Sequence, residues 1–151
     1  MTENKKNPGR FLPECMEQRL ILLNHILNLT KEIEVQSRQQ MVDIGTLVDK
    51  RQVYIDRLKK CNAMIDAVCR EFPPEQCERM KKIVAGKLPQ TECTEEEKKL
   101  CELAQKENEV LQKILALDRE ARSRLEAECN RIQARLRELQ EPLPKSNRRI
   151  Y

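Results

Sequence analysis

Between Thr94 and Gln140 the chain carries neither Pro nor Gly, and its apolar residues recur at helical spacing. Leu100, Leu103, Val110, Ile114, Leu117, Ala121, Leu125, Ile132, Leu136 and Leu139 form one long stripe. The segment opens on Thr94-Glu95-Glu96-Glu97, in which the Thr94 hydroxyl and the Glu97 carboxylate can each cap the other's backbone amide. A continuous helix over 95–140 would be roughly 70 Å long at ~1.5 Å per residue. A rod of that length outruns any small core. Part of its stripe must lie along other helices or be offered to a partner.

The rest of the chain shows the same period with clear stops. From Pro13, a residue tolerated in a first helical turn, Met16, Leu20, Leu23, Leu27 and Thr30 make one seam. Leu22, Ile26, Leu29 and Ile33 widen it into two faces, as expected of a helix between two neighbours. The stretch 31–40 is more polar, so this helix should emerge from the core there. Asp43-Ile44-Gly45-Thr46 reads as an end and restart, with Asp43 or Thr46 as cap. A second helix carries Leu47, Tyr54, Leu58, Cys61, Ile65, Val68 and Phe72, with Arg51 inside its apolar stripe. Arg51 should pack its stem on the seam and send its head to water or to a helix acid, or else form a structural ion pair. Phe72-Pro73-Pro74 stops that helix. A short third one, through Cys77, Met80, Ile83 and Val84, ends at Gly86 before a loop carrying Pro89.

These signals predict an all-α fold: an elongated antiparallel bundle or hairpin of three to four helices with a very long C-terminal helix. The expected helices span about 14–42, 46–71, 75–85 and 95–140, in one domain over 13–141. Residues 1–12 are expected to form a flexible arm, and 142–151, after Pro142, a flexible tail. No repeat of solenoid length occurs. A parallel homodimeric coiled coil is disfavoured, because Glu107 and Asp118 interrupt the heptad seam.

Composition narrows the function classes. Ala, Glu, Lys, Leu and Arg supply about half of the chain, the mark of long helices. The three glycines leave no room for a glycine-rich nucleotide loop. The net charge of +4 is small beside 29 basic and 25 acidic residues, which interleave as i,i+4 pairs with the acid first. Examples are Glu95/Lys99, Asp118/Arg122 and Glu120/Arg124, read as a solvated helix face. Nucleic-acid binding is not expected, since only the tails are locally basic. No run approaches the ~20 apolar residues of a membrane span, and the polar start carries no signal-peptide pattern, so a cytoplasmic protein is expected.

The seven cysteines contain no C-x-x-C pair, and His25 is the single histidine. The expectation is cytosolic thiols packed as small apolar residues, with no metal and no cofactor; a thiol-dependent metal or redox binder is the remote alternative. His25, between Leu22 and Ile26, reads as a packing or boundary residue rather than an acid–base group. No nucleophile–base pair or Glu-x-x-His signature appears, so catalysis is not expected.

One resemblance is specific. The run from Asp43 to Leu58, with Arg51, Ile55 and Leu58 in an R-x-x-x-I-x-x-L pattern, resembles the FlgN/FliT-type flagellar export chaperones. Ile114-Leu115-Ala116-Leu117-Asp118 is similar to the I-x-x-L-D start of that family's last helix. The seven cysteines, the Pro73-Pro74 break and the short third helix depart from the pattern. The resemblance implies a cytosolic chaperone that masks the C-terminal amphipathic helix of a hook-associated or filament-cap protein and delivers it to the export apparatus. It would be a monomer or weak homodimer. The client would meet Leu125, Ile132, Leu136 and Leu139 on the long helix, with Met80, Ile83 and Val84 either lining the other side of a groove or packing as ordinary core. The alternative is a structural coiled-coil scaffold acting by self-association.

Overall fold

The computed structural model describes residues 11–39 and 44–140. The expected arm at 1–12 (all but its last two residues), the tail at 142–151 and the Asp43 cap lie outside them. Among the described residues the chain forms four α-helices and one short 3-10 turn. These are α1 (Leu12–Ser37), α2 (Ile44–Arg70), α3 (Pro74–Val84), the turn Gln90–Glu92, and α4 (Lys98–Gln140). The all-α bundle with a very long last helix is what the hydrophobic period predicted.

Helix α1 is the centre of the molecule, and α2 and α4 lie along its two sides. Its two-faced apolar pattern has that cause. Bonds between α1 and α2 fall at Arg19–Asn62 and Thr30–Arg51, so this pair is antiparallel. Between α1 and α4 they fall at Arg19–Glu107 and Glu34–Arg124, so this pair is parallel. The short α3 spans the end where α1 and α4 begin and α2 finishes.

Apolar clusters and ionic tiers alternate along the axis. At the α3 end, Leu12 and Met16 of α1 meet Ile65 and Cys69 of α2, Ile83 and Val84 of α3, and Leu100, Cys101, Leu103 and Ala104 of α4. Next comes Arg19, which bonds the Glu107 carboxylate on α4, Asn62 on α2 (3.2 Å) and the Val84 carbonyl of α3 (2.6 Å). One guanidinium thus ties all four helices. A second apolar cluster of Leu23, Ile26, Leu27 and Ile114 follows. Above it Arg51 reaches Asp118 at 2.9 Å and the Thr30 hydroxyl at 3.3 Å. Ile33, Leu47 and Ala121 make the third cluster. The last tier is Glu34, held by Arg38 and, across the interface at 3.0 Å, by Arg124.

Two expectations change here. Glu107 and Asp118 are not defects in a seam but the partners of Arg19 and Arg51. The polar end of α1 does not leave the core: Ile33, Glu34 and Ser37 are buried, because Arg124 supplies charge to Glu34 and a 3.3 Å bond to the Ser37 hydroxyl. Such tiers act on register. Sliding α4 by one turn would leave Glu107 and Arg19 buried without each other, which costs far more than the pair contributes in place. Burial pushes the Glu107 carboxyl up, with Arg19 pulling it back. The hydrogen bonds of Arg38 and then Arg124 hold Glu34 below its ordinary range.

The start of α4 is tied down several times over. The Thr94 amide donates to the Glu97 carboxylate at 3.0 Å, and the Glu97 amide to the Thr94 hydroxyl at 3.3 Å. This is the predicted capping box. Helix α4 proper begins three residues later than expected, because Thr94 to Lys98 close i→i+3 turns before Cys101 donates to the Glu97 carbonyl. Arg79 of α3 grips the same carboxylate with two bonds, at 2.7 and 2.8 Å, and holds its pKa down to about 2.

Cys93 and Cys101 are joined in a disulfide, which corrects the expectation of seven free thiols. Cys93 is extended and precedes the helix, so the chain folds back onto the first turn of α4, which carries Cys101. Five cysteines are free. Burial pushes the thiols of Cys15, Cys61 and Cys69 up.

Helix α3 ends as predicted at Gly86, whose φ of 72° is left-handed. Gly86 donates to the Ile83 carbonyl at 3.0 Å and Lys87 to the Lys82 carbonyl at 2.9 Å, the paired bonds of a Schellman motif. A Cβ on Gly86 would stand 2.0 Å from the Asn108 side chain.

Candidate binding surface

The ion pairs fix where α4 outlives its neighbours. Arg19–Glu107 and Glu34–Arg124 join residues 88 and 90 positions apart, so Ser37, the last residue of α1, stands level with about residue 125. Beyond it α4 continues for about 15 residues, or roughly 22 Å. Every side chain from 131 to 140 is exposed.

The stripe does not stop where the core does. Leu125, Cys129, Ile132, Leu136 and Leu139 recur at alternating steps of four and three, the spacing of a coiled-coil seam. Ile132 is 50% exposed, Leu136 48% and Leu139 78%, while Leu125, at the rim, is half-buried. Off the stripe the helix is charged with both signs, including an Arg131–Glu128 pair and the neighbouring Arg135, Arg137 and Glu138. An isolated peptide of this length would be marginal as a helix in water. Here it prolongs a helix already nucleated and anchored at its other end.

The four long-helix residues singled out in the sequence therefore share one accessible face. The short-helix residues do not join them. Ile83 and Val84 are 1% and 8% exposed and lie in the core beside Leu100 and Ala104; Met80 packs against the same cluster. From Ala104 to Leu125 is roughly 30 Å along the helix. The expected groove with the long helix on one side and α3 on the other is thus absent from the folded chain: α3 caps the far end of the bundle. The sequence reading passed over Cys129, although it lies four residues after Leu125 and three before Ile132 and is exposed.

His25 is exposed and stacks on Tyr54, with ring centroids 4.8 Å apart and planes inclined by 11°; Arg57 lies 5.4 Å above the same Tyr54 ring. Among the described residues, no group of three His, Cys, Asp or Glu side chains is placed to hold a metal ion, and no helix is long and apolar enough to cross a membrane. Comparison with protein-family models, with curated proteins and with solved structures finds no match.

Proposed function

We propose that the protein is a helix-docking chaperone, and that the exposed stripe of α4 receives the amphipathic helical segment of a client. The observation that carries this reading is the overhang: a rigidly based rod that ends in three accessible large apolar residues on one face. Apolar residues that recur on a projecting helix gain about 25 cal/mol per Å² when a partner covers them. A partner helix lying along Leu125 to Leu139 would present its own anchors at i, i+3 or i+4, and i+7. The resemblance of the Arg51-Ile55-Leu58 and Ile114-Leu117-Asp118 patterns to flagellar export chaperones names the client class. It is the C-terminal helix of a hook-associated or filament-cap protein, masked in the cytoplasm and released to the export apparatus.

A second reading has its own support. Steps of four and three are what two copies of one helix need to form a coiled coil, so the overhang could join two copies into a scaffold.

Calorimetry of the full chain with C-terminal peptides of such clients separates the two. A one-to-one complex of micromolar Kd, lost in Ile132→Asp and Leu136→Asp, is the expected result. Absence of binding, together with a dimer that persists on dilution in sedimentation and is broken by the same substitutions, would replace it with the scaffold.

A further inference from the structure

A second surface lies along α1 and α2. Two concavities of about 370 and 420 Å³ adjoin one another along the α1–α2 seam, sharing Arg57, and no α4 residue lines either. Their floor is apolar: Leu22 and Leu29 from α1, with Val53, Tyr54 and Met64 from α2. Val53 and Met64 are 49% and 58% exposed.

The rim is mostly basic. Lys50, Arg57 and Lys60 follow one another along α2, and the carboxylate among the lining residues, Glu14, stands at one end. Among the described residues Lys50 and Lys60 make no ion pair, and Arg57 lies over the Tyr54 ring instead of a carboxylate. That contrasts with the α1–α4 interface, where buried charges are matched across the helices. From Glu14 to Asn28 the groove runs roughly 21 Å, the length of a four-turn helix.

We infer that this groove docks an acidic amphipathic helix of a partner protein, its apolar stripe on Leu22, Val53, Tyr54 and Met64 and its carboxylates on Lys50, Arg57 and Lys60. The site is separate from the overhang and does not rest on the client reading. An apolar floor alone would accept any amphipathic helix. The row of unpaired cations is what selects an acidic one, by faster encounter and by excluding basic competitors.

The test uses the full chain and three fluorescent helical peptides of about 18 residues. They share one Leu stripe and carry Glu, Gln or Lys on the flanks. Fluorescence anisotropy should show the Glu peptide binding about tenfold tighter than the Gln peptide at ~50 mM salt, with the advantage shrinking at ~300 mM. Arg57→Glu with Lys60→Glu, both at exposed positions, should reverse the order so that the Lys peptide binds best. The preference for the Glu peptide over the Gln and Lys peptides should persist in Leu136→Asp, because it belongs to the groove and not to the overhang. Equal binding of the three peptides, or no binding of the Glu peptide at ~100 µM, overturns the inference. So does binding that is abolished by Leu136→Asp but kept in the charge-reversed variant, which would put the peptide on the overhang. A dimer in sedimentation that Met64→Asp dissociates would assign the groove to a second copy of the chain and overturn it too.

Discussion

The two ends of α4 share a sequence style and differ in almost everything else. At the N-terminal end Glu97 is held by Thr94 and by Arg79, Cys101 is bonded to Cys93, and Leu100, Leu103 and Ala104 lie in the largest apolar cluster. At the C-terminal end a stripe of the same apolar period is exposed from 131 onward among the described residues. The contrast teaches that periodicity announces a face to be covered without saying what covers it. Where α1 and α3 are present the face becomes core. Past Ser37 the face stays exposed.

Substitutions at the two ends should therefore separate stability from binding. The largest loss is expected for Arg19→Ala, which strands Glu107 in the core: about 3–5 kcal/mol by urea unfolding at pH 7. The sign of its pH dependence is fixed by Glu107, whose carboxyl is raised in the fold by burial. Its protonated form suits the buried site, so the penalty should shrink as pH falls through the raised folded pKa and be gone below the unfolded glutamate pKa of ~4.3. A loss that stayed constant with pH would mean that packing of the arginine stem, not charge, dominates.

Opening the Cys93–Cys101 bridge with a thiol reductant should cost about 2.5 kcal/mol, the loop-closure value for a bridge spanning eight positions. The midpoint of urea unfolding with and without reductant measures it. Gly86→Ala should cost about 2 kcal/mol, since the left-handed φ and the contact with Asn108 both oppose a side chain. Acid should weaken the same end of α4 through Glu97. Its folded pKa of about 2 lies below the unfolded value, so its contribution is full above ~4.3 and fades as pH drops toward 2. Glu97→Gln should flatten that part of the stability–pH curve.

The smallest effect on folding is expected where the effect on binding is greatest. Ile132→Asp and Leu136→Asp should shift stability by no more than about 0.5 kcal/mol, as exposed positions do. The same two changes should abolish capture of a client helix. A large loss of helicity in either variant, read by circular dichroism, would show that the overhang already has a partner, and the contrast between the two ends would collapse.

The helices themselves were legible before the fold was seen. Pro73-Pro74, Gly86 and the Thr94–Glu97 box mark ends through local backbone chemistry, which needs only neighbours a few residues away. The two-faced pattern of α1 already implied two neighbours. What the sequence misread were the charges. Glu107 and Asp118 looked like interruptions, and Arg124 like the i+4 mate of Glu120, because a carboxylate four residues away can be read from the chain and one 90 residues away cannot. For Met80, Ile83 and Val84 the sequence left groove wall and core both open, because apolar spacing gives a face but not a direction; the fold puts them in the core.

The sequence alone determined that this chain is helical, where each helix stops, and that its last helix is too long for its own core. Those are short-range matters of propensity, capping and period. The tertiary structure alone decided that α1 is central and parallel to α4, that Arg19 joins all four helices, and that Cys93 meets Cys101. It also set where along α4 the core ends and the exposed stripe begins. These depend on register between segments distant in the chain, and register is settled only when buried charges and apolar layers find mates together.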